Sequence, residues 1–141
     1  MKRILMNNIS VFSNWINLNT TDEKVPKFLH WFEWEKRNLH LFDIGNFTHI
    51  NIKLIISFKI PVFSWSIMIP SGKIFLMGGT DEDGPKKNVY SIDINFIESI
   101  KTLTTMSNMP CKKIDFSLAY LNDFIYVICG KDSSDEIVGT C

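Results

Sequence analysis

An internal repeat of about 50 residues is the feature that most constrains how this chain folds. Residues 38–44 (NLHLFDI) match residues 88–94 (NVYSIDI) at a spacing of 50. Residues 64–79 (SWSIMIPSGKIFLMGG) match residues 115–130 (DFSLAYLNDFIYVICG) at a spacing of 51. Two separate matches at nearly the same period predict a chain of repeated supersecondary units, each of which packs on its neighbours.

The repeated segments have the pattern of short buried strands. An apolar run from Ile74 to Met77 ends at Gly78-Gly79, and a second run from Phe124 to Cys129 ends at Gly130. Short runs that are rich in β-branched and aromatic residues and bounded by glycine are typical of strands. The repeat therefore predicts one such strand in each unit.

Turn residues mark where these strands reverse direction. The dipeptides Ser71-Gly72 and Asn122-Asp123 each precede an apolar run, and both predict a tight hairpin. No segment shows a sustained helical period. The best helical candidate lies within residues 24–38, but the repeat requires a strand at this point and favours Phe28–Trp34 as that strand.

The residues around the diglycine resemble the kelch-repeat family of β-propellers over residues 28–141. More narrowly, the runs at 66–79 and 115–132 look like the kelch-motif proteins of ciliated protozoa. The residues that carry the resemblance are Gly78, Gly79, Asn88, Tyr90, Asp93, Met106 and Pro110. In the next repeat Cys129 and Gly130 stand at the positions of the diglycine. The resemblance implies that the glycines let strands pack closely around a central channel, and that Tyr90 packs against a neighbouring blade.

The resemblance also implies an all-β fold of antiparallel four-stranded blades. About two and a half blades are expected, which cannot close a ring, so the propeller is expected to be incomplete. Residues 1–27 form an N-terminal segment for which no definite structure is predicted. The expected blades are residues 28–58 (the last strands of one blade), 61–108 (strands near 63–69, 74–78, 88–94 and 98–104) and 112–141 (the first two strands of the next).

The charge balance argues against several classes of partner. Lys plus Arg and Asp plus Glu each number 15, so the net charge is zero. A neutral chain has no strong electrostatic attraction to nucleic acid or to an anionic membrane, and it has little charge repulsion against self-association. We expect open sheet edges to favour such self-association.

The location of the protein is predicted from its apolar segments and cysteines. Asn7 and Asn8 interrupt the N-terminal apolar run before it reaches the length of a signal peptide, and no other run is long enough for a transmembrane helix. The spacings of Cys111, Cys129 and Cys141 match no metal knuckle, which predicts three reduced thiols. The sequence therefore predicts a soluble, cytoplasmic protein.

No catalytic, cofactor-binding or metal-binding pattern stands out. The acidic run at residues 81–84 lacks the ligand spacing of a calcium loop, and no phosphate-binding glycine motif occurs. His30, His40 and His49 have no partner at metal-ligand spacing, and nothing indicates a hydrolase triad. We therefore predict no catalytic residue, no cofactor and no metal.

A non-catalytic protein–protein interaction module, a scaffold or adaptor fragment, is the favoured function. In a propeller of this kind the loops between strands bind the partner, and the two candidates are residues 80–87 and 131–136. The candidate binding residues are Asp81, Glu82, Asp83, Lys86, Lys87, Lys131, Asp132 and Asp135. Two alternatives stay open, namely a truncated or degenerate product without a function of its own and a piece of a propeller enzyme. The aromatic cluster of Trp31, Phe32 and Trp34 has two interpretations, a protein-binding surface or a core between blades.

Overall fold

The described part of the chain is entirely β-structure. The computed structural model describes residues 28–33, 36–132, 134 and 136–137. No helix occurs among these residues, which confirms the all-β prediction and the choice of a strand from Phe28. The strands are β1 (Phe28–Glu33), β2 (Asn38–Asp43), β3 (Thr48–Ile55), β4 (Trp65–Met68), β5 (Lys73–Met77), β6 (Thr80–Asp81), β7 (Gly84–Pro85), β8 (Val89–Asp93), β9 (Ile100–Thr102), β10 (Thr104–Thr105), β11 (Ser117–Leu121) and β12 (Phe124–Ile128).

Three main sheets follow one another along the described chain, and the β6-β7 hairpin forms a fourth, two-stranded sheet. The first sheet has the order β1-β2-β3-β9, the second has the order β10-β8-β5-β4, and the third is the β11-β12 hairpin. All pairings are antiparallel except that of β3 with β9. None of the described sheets closes on itself.

Turn chemistry explains the two predicted hairpins, and both are confirmed. Asn122 and Asp123 have φ angles of 50° and 65° and connect Leu121 directly to Phe124. Two successive residues with positive φ form the mirror-image turn that matches the twist of a two-residue hairpin. In the other hairpin, the Gly72 amide donates to the Ile69 carbonyl over 3.0 Å, and Gly72 has a φ of 78°.

One predicted strand pairs with a different sheet from the one expected. Residues 98–104 were expected to form the fourth strand of the second unit, but only Thr104–Thr105 pairs with β8. Ile100–Thr102 instead lies parallel to Lys53–Ile55 of the first sheet. The reason is the free edge of β3, whose backbone groups would otherwise lack partners within the sheet.

Two apolar cores separate the three sheets. The first core lies between the first and second sheets, and the second core lies between the second and third. Strand β5 contributes to both, because alternate side chains of a strand point to opposite faces. Ile74 and Leu76 belong to the first core, whereas Met77 and the half-buried Phe75 belong to the second.

Two further predictions concern the N-terminal segment and membrane-spanning helices. Residues 1–27, which the sequence assigns to a separate N-terminal segment, lie outside the described residues. Within the described residues, no helix has the length and apolar character needed to cross a membrane.

Candidate functional site

The first predicted binding loop is an ordered miniature hairpin. Strands β6 and β7 pair antiparallel, with Thr80 opposite Pro85 and Asp81 opposite Gly84. Lys86 Nζ lies 2.7 Å from Asp81 Oδ1 and 3.3 Å from Asp83 Oδ2. The hydrogen bond from Lys86 lowers the pKa of the Asp81 carboxyl, and the same contact raises the pKa of the lysine. This loop therefore has an internal charge network, which the sequence pattern of an exposed loop did not predict.

Charged side chains on the outside of this loop and next to it are accessible to a partner. The Glu82 and Lys59 side chains are 93% and 83% exposed, and the 3.6 Å ion pair between them is of the weak surface kind. Lys87 is also exposed, although its carbonyl accepts a 2.8 Å hydrogen bond from the Met109 amide. Charged groups of both signs thus stand at the tip and the base of the hairpin.

The second predicted loop also folds back on itself. Asp132 Oδ1 accepts hydrogen bonds from the Ser134 amide at 2.8 Å and from the Ser134 hydroxyl at 2.6 Å. These bonds lower the pKa of the Asp132 carboxyl. The Asp132 amide donates to the Glu136 carbonyl over 3.2 Å. The candidate Asp135 lies outside the described residues.

A shared backbone segment brings the two loops to the same region. The Lys113 amide donates to the Lys86 carbonyl over 3.1 Å, and the next residue, Ile114, exchanges two hydrogen bonds of 2.8 and 2.9 Å with Lys131. Lys86, near the end of the first loop, and Lys131, the first residue of the second loop, thus both hydrogen-bond to the backbone of residues 113–114. Sequence reasoning had not placed these loops beside each other, because their contact depends on a segment between the strands.

The diglycine stands where backbone approaches backbone. A Cβ atom on Gly79, whose φ is 87°, would lie 2.6 Å from the Val62 carbonyl oxygen and 2.6 Å from the Ser64 hydroxyl. A Cβ atom on Gly78 would lie 2.7 Å from the Phe116 ring. The predicted close packing is therefore present, and the neighbours lie in the segments that precede β4 and β11.

The other residues of the repeat motif have structural contacts. The Asn88 carbonyl accepts a 3.0 Å hydrogen bond from the Gly78 amide. The Tyr90 ring stacks on Phe58, with ring centroids 4.5 Å apart, so it packs towards the preceding unit as expected. Asp93 accepts a 2.9 Å hydrogen bond from the Asn95 amide, and Gly130 is buried.

The cysteine prediction is partly wrong. Cys129 is a free, exposed thiol, and its carbonyl accepts a 2.9 Å hydrogen bond from Lys113 Nζ. Cys111, however, is held in a disulfide. Cys141 lies outside the described residues.

A buried histidine joins the first two sheets. His30 on β1 is 5% exposed, and its Nε2 lies 3.0 Å from the hydroxyl of Ser66 on β4. Burial lowers the pKa of His30 to about 4. The hydrogen bond of the Ser66 hydroxyl therefore joins the first sheet to the second rather than lying within one sheet.

Two further histidines, His40 and His49, form a cluster on the opposite face of the first sheet. His40 Nδ1 lies 2.9 Å from His49 Nε2, and His40 Nε2 lies 3.2 Å from Glu33 Oε2. The Trp31 ring is nearly parallel to both imidazoles, with centroids 4.9 and 5.5 Å away. Spacing along the chain did not indicate this cluster, because strand register rather than chain order places its members together.

Trp31 and Phe32 of the predicted aromatic cluster lie on opposite faces of the first sheet. Phe32 is 5% exposed and belongs to the first core, which matches the core interpretation. Trp31 is half-buried on the outer face, and Trp34 lies outside the described residues.

Comparison with protein-family models and with curated proteins yields no match. Among the described residues, no group of three or more His, Cys, Asp or Glu side chains is arranged to hold a metal ion. Inferences about function therefore depend on the geometry of the molecule itself.

Proposed function

We propose that this chain is a non-catalytic protein–protein interaction module built from kelch-type propeller blades. The observation that carries the proposal is the junction of the two loops on residues 113–114, through Lys86 on one side and Lys131 on the other. Loops that emerge beside each other from a rigid scaffold can form one continuous binding surface.

Three features support the blade interpretation. The second sheet is an antiparallel meander in which β4, β5, β8 and β10 pair in chain order. The β6-β7 hairpin lies between β5 and β8 in the sequence, and β9 lies between β8 and β10. Successive sheets pack face to face through two separate apolar cores. The diglycine after β5 allows the close approach that the resemblance implies.

The chemistry of the loop surface suits a polar protein partner. Glu82 and Lys112 are exposed, and they carry opposite charges in the first loop and in the segment that joins the two loops. Exposed charges of both signs steer association and determine which partner is accepted more than they add affinity. Because Asp81 and Lys86 neutralise each other within the hairpin, they hold its shape and leave recognition to the outer residues.

The test is a charge reversal on the loop surface. A partner is first identified by proximity labelling in the native cells, and its affinity for the purified chain is then measured by calorimetry. The double variant Glu82→Lys with Lys112→Glu should weaken binding at least tenfold. Lys53→Glu, an exposed charge on the first sheet, is the matched control and should bind as the unmodified chain does. Equal affinity for all three proteins would reject the loop surface as the binding site.

A cytoplasmic location stays a hypothesis. The disulfide at Cys111 argues against it, because thiols in the cytosol are normally kept reduced. The location of a fluorescent fusion in the native cells would decide between a reducing and an oxidising compartment.

A further inference from the structure

Two imidazoles face each other across β2 and β3 on the outer face of the first sheet. His40 Nδ1 and His49 Nε2 are 2.9 Å apart. The two ring planes differ by 7°, and their centroids are 5.1 Å apart. Rings with so short a nitrogen–nitrogen distance and so large a centroid separation lie side by side in nearly one plane, and they are not stacked face to face.

Glu33 determines which nitrogen of His40 can donate electrons. Its Oε2 lies 3.2 Å from His40 Nε2, and an ionised carboxylate can only accept a hydrogen bond. The proton of neutral His40 is therefore on Nε2, and Nδ1 carries the lone pair that points at His49. A carboxylate that accepts from the far nitrogen of a histidine is the usual outer partner of a metal-binding imidazole.

Trp31 limits the movement of both rings. Its indole plane lies within 5° of His40 and within 7° of His49. Trp31 and His40 are also directly opposite each other in the register of β1 and β2. A pair of imidazoles held against a large flat ring loses little conformational freedom when it binds a ligand.

We propose that His40 Nδ1 and His49 Nε2 bind one divalent transition-metal ion, with water in its remaining positions. Metal–nitrogen bonds of about 2.0–2.1 Å that meet at about 90° hold two nitrogens about 2.9 Å apart. Tetragonal sites with such angles suit Ni²⁺ and Cu²⁺ better than Zn²⁺, which prefers a tetrahedral arrangement.

Binding replaces the hydrogen bond between the rings. His49 takes the tautomer with its proton on Nδ1, so that Nε2 becomes a ligand. Each ring rotates within its own plane, parallel to the Trp31 ring, until its lone pair points at the ion. Glu33 keeps its hydrogen bond to His40 and orients that ring from outside the coordination sphere. This site is independent of the proposed loop surface, since it lies on the first sheet.

Ni²⁺ is the probe, because it suits a tetragonal site, and Cys129→Ser removes the exposed thiol as a competing ligand. Calorimetry on a Cys129→Ser chain should give one Ni²⁺ per chain. The variants His40→Gln and His49→Gln should each abolish this binding, and Glu33→Gln should weaken it about 10- to 100-fold. His30→Gln removes a histidine buried on the other face, so it is the matched control and should keep the full affinity.

A second measurement does not depend on any histidine variant. Titration of Ni²⁺ into the Cys129→Ser chain should broaden the proton NMR signals of His40 and His49 and leave those of His30 sharp. Absence of Ni²⁺ binding, or binding that survives in both His40→Gln and His49→Gln, would overturn the proposal. Selective broadening of other residues would overturn it as well.

Discussion

Acidification should destabilise this protein through His30, the buried imidazole that joins the first two sheets. Burial lowers the pKa of His30 from 6.5 to about 4, because the protonated ring would be cut off from water. The folded protein therefore keeps the ring neutral in a pH range where the unfolded chain binds a proton. The ring is 5% exposed, so solvent screening reduces this effect little.

The size and sign of the effect follow from proton linkage. A shift from 6.5 to about 4 corresponds to about 3 kcal/mol, since each pKa unit is worth about 1.4 kcal/mol. In this range the unfolded state binds more protons, so the free energy of unfolding rises with pH. The contribution of His30 is fully present above pH 6.5 and is lost as the pH falls towards 4. Such a loss is a large part of the 5–15 kcal/mol that is typical of folded domains.

The assay compares the unmodified chain with His30→Gln. Glutamine has no titrating group, yet its amide can still bond to the Ser66 hydroxyl. Urea unfolding, followed by tryptophan fluorescence at several pH values between 7 and 4, gives the free energy of unfolding of each protein. Over this range the unmodified chain should lose about 3 kcal/mol more than the variant.

Two results would refute the reasoning. One is an equal loss of stability in both proteins, which would mean that His30 contributes nothing to the pH dependence. The other is an NMR titration of the folded chain in which His30 takes up its proton near pH 6.5. The NMR result is independent of whether the glutamine variant folds well.

Two further predictions concern packing. Gly79→Ala should lower the free energy of unfolding by about 3 kcal/mol or more, because the added Cβ would meet backbone and the Ser64 hydroxyl at 2.6 Å. Gly84 has a φ of 92° but no heavy atom within 4 Å of an added Cβ, so Gly84→Ala should lower the free energy of unfolding by only about 1–2 kcal/mol. Equal losses of unfolding free energy for the two alanine variants in urea would refute the steric argument. The double variant Phe124→Lys with Tyr126→Lys should reduce self-association, because these exposed side chains form an apolar face on β12. Analytical ultracentrifugation measures this effect. A sedimentation coefficient equal to that of the unmodified chain at all concentrations would contradict the prediction.

Local features of this fold could be predicted from the sequence. The turn at Asn122-Asp123 is specified by its own two residues, which tolerate positive φ. The strand from Ile74 to Met77 is specified by an apolar run and the glycines that follow it. Each prediction depends on residues within a few positions of one another, so one segment contains all the information needed.

Features that depend on register between distant segments could not be predicted. The pairs His30–Ser66 and His40–His49 each require a particular alignment of two strands, and a shift by one residue would move every side chain to the other face. The capture of β9 by the first sheet is of the same kind. Residues 98–104 have the composition of a strand, but the free edge of β3 decides where Ile100–Thr102 pairs.

The same limit applies to which faces of a strand are covered. Strands β5 (KIFLM) and β12 (FIYVI) occupy matching places in the repeat, and both are apolar at most positions. A strand that is apolar on both faces is expected to have both faces covered. For β5 this holds, since neighbouring sheets pack on each side of it. For β12, Ile125 and Val127 pack into the second core, whereas Phe124 is 66% exposed and Tyr126 is 46% exposed. This outer face is therefore open to a further apolar sheet, and we expect self-association to depend on it.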